Sequence, residues 1–322
     1  MSRQMCFVLR AACVSAAALL VASTSHALVG YGVDGNGFLF SFDVDNAGTT
    51  DVTIGNLGFT PEGIDFRPSS NTLFAIDVGA VTTQLYTVNI ADAVATPVGA
   101  GFPSMVGGSY DLTAANSHFG FDFNPSTLQA DTSMRIRLVA TNTADLRLHS
   151  ALGTVAVVDG NLLISPGGAS PFVDAVAYSN NIANAATMTT TLYDMDSRNN
   201  SLYIQSPPND GTLTLVGPFG ATILNSQTNI GFDISTDPTS LANRALAVYK
   251  RPDAPAGTEG AFLLYEVDLS TGATTMGRLV GPQASPRNFD GGFSVLPIPE
   301  PASATLLAIG LLGLATGRRS WR

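Results

Sequence analysis

Aspartates recur in one short word along this chain. The word reads Gly63-Ile64-Asp65-Phe66, Gly120-Phe121-Asp122-Phe123, Gly231-Phe232-Asp233-Ile234 and, more weakly, Asn288-Phe289-Asp290. If each copy occupies the same strand of a repeated unit, Asp65, Asp122, Asp233 and Asp290 stand at one height around a common axis. Such a ring offers oxygen ligands to a hard cation such as Ca²⁺. The competing reading is structural. Each carboxylate accepts from backbone N–H groups or pairs with an arginine of the next unit, and recurrence in all units but one favours that packing role. Arg135 and Arg137 are two apart and so share one face of a strand, with Arg147 placed on a neighbouring strand. Together they form a candidate clamp for a carboxylate or phosphate, or, more plainly, pair with those aspartates between units.

Other chemistry is thin. Gly30-Tyr31-Gly32-Val33-Asp34-Gly35 fits GxGxxG, but a strand-like run, Phe38–Val44, follows where a dinucleotide site needs a helix N-terminus. Asp43-Val44-Asp45-Asn46-Ala47-Gly48 starts like a calcium loop, yet Ala47 replaces an oxygen ligand and Ile54 stands at the bidentate glutamate position, so a hairpin turn is expected. HExxH and GxSxG are absent, and His118 and His149 stand alone. Both cysteines, Cys6 and Cys13, fall in the first 27 residues. No catalytic residue is assigned and no cofactor is expected, Ca²⁺ at the aspartates being the one candidate.

The elements that would position these groups are short strands. Thr72–Val78, Gln84–Ile90, Arg135–Thr141, Thr190–Met195, Ser201–Gln205 and Phe262–Leu269 are β-branched or aromatic runs. Turn clusters such as Asn46-Ala47-Gly48, Asn209-Asp210-Gly211 and Ser270-Thr271-Gly272 separate them. With Asp174-Ala175-Val176 counted in register, the second positions of the word are 64, 121, 175, 232 and 289, at spacings of 57, 54, 57 and 57. Val98-Gly99, Val216-Gly217 and Val280-Gly281 close three of the units. A period near 50 residues with about four strands per unit is a propeller signature. The expected fold is an all-β propeller of five four-stranded blades. Asn288–Leu296 supplies the inner strand of the last blade and Leu28–Asn56 its other three. A pair of β-sandwiches is the rival, and the regular spacing speaks against it.

The two ends read as addresses. Arg3 and Arg10 flank an apolar run, Ala11–Ala22, and Ser25-His26-Ala27 predicts signal-peptidase cleavage after Ala27. At the other end Pro299-Glu300-Pro301 precedes an apolar run of sixteen residues, Ala302–Gly317, and then Arg318, Arg319 and Arg322. As a helix that run spans about 24 Å, short of a ~30 Å hydrocarbon core. This three-part tail resembles the PEP-CTERM sorting signal, with Ile298 in place of the usual valine. The resemblance implies a Gram-negative host, transient membrane anchoring and processing by an exosortase. The division is then 1–27 signal peptide, 28–297 propeller and 298–322 sorting tail.

Several words also resemble an exported bacterial family, domain of unknown function 4394. They are Gly120-Phe121-Asp122-Phe123-Asn124-Pro125, Arg135-Ile136-Arg137, Leu146-Arg147-Leu148, Ala177-Tyr178-Ser179-Asn180-Asn181 and Pro207-Pro208-Asn209-Asp210-Gly211-Thr212-Leu213. The resemblance implies a propeller-like fold and assigns no activity. The stretch Thr127–Met134 is longer than the family's link between its first two words.

Composition narrows the partners. Charged residues make up 12% of the chain, about half the usual ~25%, and Lys250 is the one lysine. Without the two ends, 24 acidic residues face 10 basic ones, which excludes a general nucleic-acid binder. The expected function is that of an exported cell-surface or extracellular-matrix propeller, non-catalytic, whose partner is a matrix polysaccharide or surface protein. The alternative is a lactonase-like hydrolase with a metal in the channel.

Overall fold

The computed structural model describes residues 27–114, 117–126, 135–182, 188–220, 230–250, 261–275 and 277–297. The first blade takes β1 (Val29–Val33), β2 (Phe38–Asp43) and β3 (Val52–Asn56). The second holds β4 (Gly63–Arg67), β5 (Thr72–Val78), β6 (Thr82–Val88) and β7 (Ala95–Pro103). A small hairpin, β8 (Met105–Val106) and β9 (Tyr110–Asp111), leads to the third blade. That blade is β10 (Phe119–Phe123), β11 (Arg135–Ala140), β12 (Asp145–His149) and β13 (Thr154–Val158). After β14 (Leu163–Ile164), the fourth blade is β15 (Val173–Tyr178), β16 (Leu192–Asp196), β17 (Ser201–Gln205) and β18 (Thr212–Pro218). The fifth is β19 (Gly231–Thr236), β20 (Asn243–Lys250), β21 (Phe262–Val267) and β22 (Arg278–Leu279), and β23 (Phe293–Val295) ends the series.

Within each blade the strands pair antiparallel in chain order. Strand β23 returns to β1, with Gly30 opposite Val295 and Gly32 opposite Phe293, so the first and last segments close one blade together, as the sequence predicts. The fourth blade departs from the expected four strands. Strand β14 adds in parallel outside β18, covering an edge whose unpaired N–H and C=O groups would otherwise face solvent. No helix of the described residues is long and apolar enough to cross a membrane.

The core is five apolar layers, one between each pair of adjacent blades. Because both faces of the middle strands are covered, they read as nearly unbroken apolar runs, such as Leu73–Ile76 and Ala245–Tyr249. Turns follow the predicted chemistry. Gly211 (φ 68°) and Gly272 (φ 77°) take left-handed backbone, which glycine adopts without a Cβ penalty.

The glycines of the GxGxxG stretch have a packing reason. A Cβ on Gly30 would fall 2.6 Å from Phe42 Cζ, and one on Gly32 2.5 Å from Phe40 Cζ. Both lie in strand β1, as expected of a false dinucleotide motif. Asp43 caps a 3₁₀ turn, accepting from the N–H groups of Asp45 and Asn46, so its loop is the hairpin turn expected. The signal segment before Ala27, the motif Pro299-Glu300-Pro301 with its tail, and Thr127–Met134 lie outside the described residues.

Candidate functional site

The five inner strands, β4, β10, β15, β19 and β23, meet around the axis. Side chains alternate along each one between the two neighbouring blades. Ile64, Phe121, Val176, Phe232 and Phe293 enter the apolar layer shared with the preceding blade. The next residues, Asp65, Asp122, Ala177, Asp233 and Ser294, face the following blade. Inner strands approach closely where glycine precedes these pairs. A Cβ on Gly63 would fall 2.7 Å from Phe121 Cβ, and one on Gly231 2.3 Å from Phe293 Cβ.

This register corrects two expectations. Val176, not Ala175, holds the second position in the fourth blade, and Ala177 stands at the aspartate position. In the closing blade the equivalent word is Gly292-Phe293-Ser294-Val295. Asp290 lies four residues earlier and lines a surface cleft, while Phe289 fills the layer between the fifth and first blades. The repeated word therefore brings together three of its four aspartates. Carboxylate oxygens of Asp65, Asp122 and Asp233 lie within 4.8 Å of one another.

Each of the three stitches its blade to the next. Phe123 N–H donates to Asp65 Oδ2 (2.7 Å), Tyr178 N–H to Asp122 Oδ2 (2.9 Å) and Val295 N–H to Asp233 Oδ2 (2.6 Å). Ser294 Oγ stands between two of them, 2.9 Å from Asp65 Oδ1 and 2.8 Å from Asp233 Oδ2. A hydroxyl carries one hydrogen. It donates to one carboxylate and accepts from the other only if that one is protonated. The electrostatics agree. Burial, then the neighbouring Asp233, pushes Asp65 well above the usual carboxylate range, and burial with Asp65 and Asp233 does the same for Asp122. Burial raises Asp233 to about 6 against the pull of its N–H and Ser294 donors. The oxygen-only donor set suits a hard cation. The cavity along the axis is lined by Gly63, Gly120, Ala175, Gly231 and Gly292 and by none of the three aspartates; it is only about 20 Å³, space for a single water or ion and not for an organic substrate.

The arginines form a separate cluster between the third and fourth blades. Arg137 and Arg147 sit directly opposite each other on β11 and β12. Arg137, 2% exposed, donates to Asp145 (2.6 Å), Asp159 (2.7 Å), Asn209 (3.2 Å) and the Tyr178 hydroxyl (3.3 Å). Arg147 grips Asp159 with two bonds of 2.7 and 2.8 Å. Ion pairing is thus the role, but with Asp145 and Asp159 rather than the axial aspartates. Arg135 stands at the start of the strand, opposite His149. Burial pushes Asp145 up to about 6 despite Arg137. Asp194 in the same layer is fully buried with neither oxygen hydrogen-bonded, and burial raises it well above the ordinary range.

Sequence reasoning missed Ser294, Asp145 and Asp159. Ser294 had a signal, since Gly292-Phe293-Ser294-Val295 repeats the word with serine for aspartate. The other two had none.

Five radial sheets, a stitched axis and a composite closing blade define a β-propeller. The chain belongs to the family described as "Domain of unknown function (DUF4394)", whose pattern matches residues 38–287. Among solved structures it is similar to a chain of the crystal structure of a nidogen/laminin complex, at 10% identity and TM-score 0.45, covering 84% of this chain and 98% of that one. It is also similar to Kuenenia stuttgartiensis hydrazine synthase, at 10% identity and TM-score 0.35, covering 68% and 49%. A search of curated proteins finds no match.

Proposed function

We propose that this chain is an exported propeller of the cell surface or extracellular matrix that binds through its loops and performs no catalysis. The closed axis carries the reading. Its carboxylates are engaged in inter-blade hydrogen bonds, and its cavity of about 20 Å³ admits no substrate. Export rests on the leader ending at Ala27 and on the Pro299-Glu300-Pro301 tail, which signal peptidase and an exosortase would process. Mass spectrometry of the exported chain should give an N-terminus at Leu28 and loss of the apolar tail. Hydrolase screening of that chain should find no activity. Hydrolysis abolished by Asp122→Asn would overturn the reading.

The cluster of three carboxylates keeps one alternative in view, a metal-dependent hydrolase with a cation held by Asp65, Asp122 and Asp233. Elemental analysis giving one tightly bound ion per chain, with a thermal shift on adding Ca²⁺, would support it. Absence of both supports the proton-sharing axis.

A further inference from the structure

Between the third and fourth blades three buried oxygens accept from no protein donor. They are both carboxylate oxygens of Asp194 and Oε1 of Gln205. Asp194 is wholly buried and Gln205 is 2% exposed. Strand register sets them together. Asp194 of β16 pairs with Tyr203 of β17, and Gln205 stands two residues further along β17, so the two side chains are diagonal neighbours on one face. That face also carries Val176 and Tyr203, which pack against Val139 of the third blade. Gln205 Nε2 donates to Asp145 Oδ2 (2.6 Å) and to the Pro208 carbonyl. Both are acceptors, so the amide keeps this orientation and Oε1 is its open end.

A buried carboxylate with neither donor nor counter-charge is costly. The cations of this layer are committed elsewhere. Arg137 pairs with Asp145 and Asp159, and Arg147 with Asp159. Asp196, two residues along β16, accepts from the N–H groups of Phe172 and Asn199 and from Asn199 Nδ2. Asp194 is left with the field of Asp145 and Asp196, opposed by an Arg137 already bound to two carboxylates. A water supplies donors but no charge. A proton supplies one O–H for three oxygens. A cation answers the charge and the three oxygens together. One unanswered negative charge beside a neutral amide oxygen suits a monovalent ion, because a divalent one would put excess positive charge next to Arg137. Among the described residues, the grouping of three carboxylates close enough for a divalent metal is the axial one.

We propose that Asp194 and Gln205 bind an alkali cation, Na⁺ or K⁺, inside the interface of the third and fourth blades, their oxygens replacing part of its hydration shell. The ion braces the two blades where the arginine cluster leaves one charge over. The inference goes beyond the surface-binding reading and stands apart from it. A proton competes for the same carboxylate, so the test is run at about pH 8. It is a set of thermal melts of the exported chain at one ionic strength in sodium, potassium or choline chloride. Choline carries the same charge and is too large for a buried site. A ligand that binds only the folded chain raises its midpoint, so the midpoint should stand at least about 2 °C higher in sodium or potassium chloride than in choline chloride. Asp194→Asn keeps the shape, removes the charge and should melt alike in the three salts. If that variant does not fold, Asp194→Leu, an apolar residue of similar length in a largely apolar layer, carries the same expectation. Asp122→Asn alters the axis and not this layer, and should keep the parent's difference. Equal parent midpoints in the three salts overturn the proposal. A difference that survives removal of the Asp194 carboxylate, or vanishes with Asp122→Asn, overturns it as well.

Discussion

Hydrogen-bond bookkeeping at the axis separates three side chains that look alike in sequence. Asp65 accepts from Phe66 and Phe123 N–H groups and meets the Ser294 hydroxyl, using both oxygens. Asp122 accepts one bond, from Tyr178. An asparagine at 122 keeps that acceptor and removes a charge that burial already disfavours. Asp122→Asn should therefore be no less stable than the parent at about pH 8 and should gain stability if Asp122 is ionised there. At Asp65 an amide NH₂ must face a backbone N–H, so Asp65→Asn should cost about 1–3 kcal/mol. Ser294→Ala removes the hydroxyl shared by two buried carboxyls, which keep only their backbone N–H donors, at a similar cost of about 1–3 kcal/mol. Urea midpoints of the three variants check the order, and equal losses at 65 and 122 would refute the stitching. The arginine cluster follows the same logic, because Arg137 answers both Asp145 and Asp159. Removing it leaves buried charge unpaired.

At the scale of elements, ring closure depends on three residues. Strand β23 pairs with β1, and Val295 N–H and the Ser294 hydroxyl bind Asp233 of the fifth blade. A chain ending at Gly292 loses all of these contacts and should show no cooperative thermal transition and rapid proteolysis. One ending at Pro297 should melt cooperatively. A folded, protease-resistant chain without β23 would show that closure is dispensable. This blade also shows what the sequence could convey. The period near 57, the composite blade and strands such as Thr72–Val78 and Ser201–Gln205 were legible, because alternation and turn residues are local signals. The Asn288-Phe289-Asp290 copy misled because it kept the aspartate and lacked the glycine. Close approach of inner strands demands glycine more strictly than the axis demands aspartate, as Gly292-Phe293-Ser294 shows. In the fourth blade Ala175 sits at the glycine place, and with neither the glycine nor the aspartate of the word to mark it, the register slipped by one. The partners of Arg137 come from residues 8 to 72 positions away, a pairing set by blade packing that leaves no local trace.

Taken as a whole, the molecule buries acids whose protons it holds tightly. Burial raises Asp65, Asp122, Asp174 and Asp194 well above the ordinary carboxylate range, Asp145 and Asp233 to about 6, and Glu62, beside Asp77, to about 7. In the unfolded chain such groups titrate near ~4. A carboxyl with a raised folded value binds its proton better in the native state, so its stabilising effect is present in acid and lost as the pH rises through that folded value. The exposed turn aspartates Asp43, Asp111, Asp237 and Asp268 are lowered by hydrogen bonds, so their stabilising effect is fully present above ~4 and is lost only as the pH falls below that. Self-repulsion of an acidic chain grows in the same direction as the buried acids ionise. Stability should thus fall from about pH 5 to about pH 8, the opposite of a protein held together by ionised salt bridges. Calorimetric melts across that window give the check. A midpoint that is flat or rises with pH would mean that the axial carboxyls are ionised in the native state and neutralised by something other than protons. A bound cation at Asp65, Asp122 and Asp233 would then be required, and metal chelation at about pH 8 should lower the midpoint; with proton sharing, chelation should leave it unmoved.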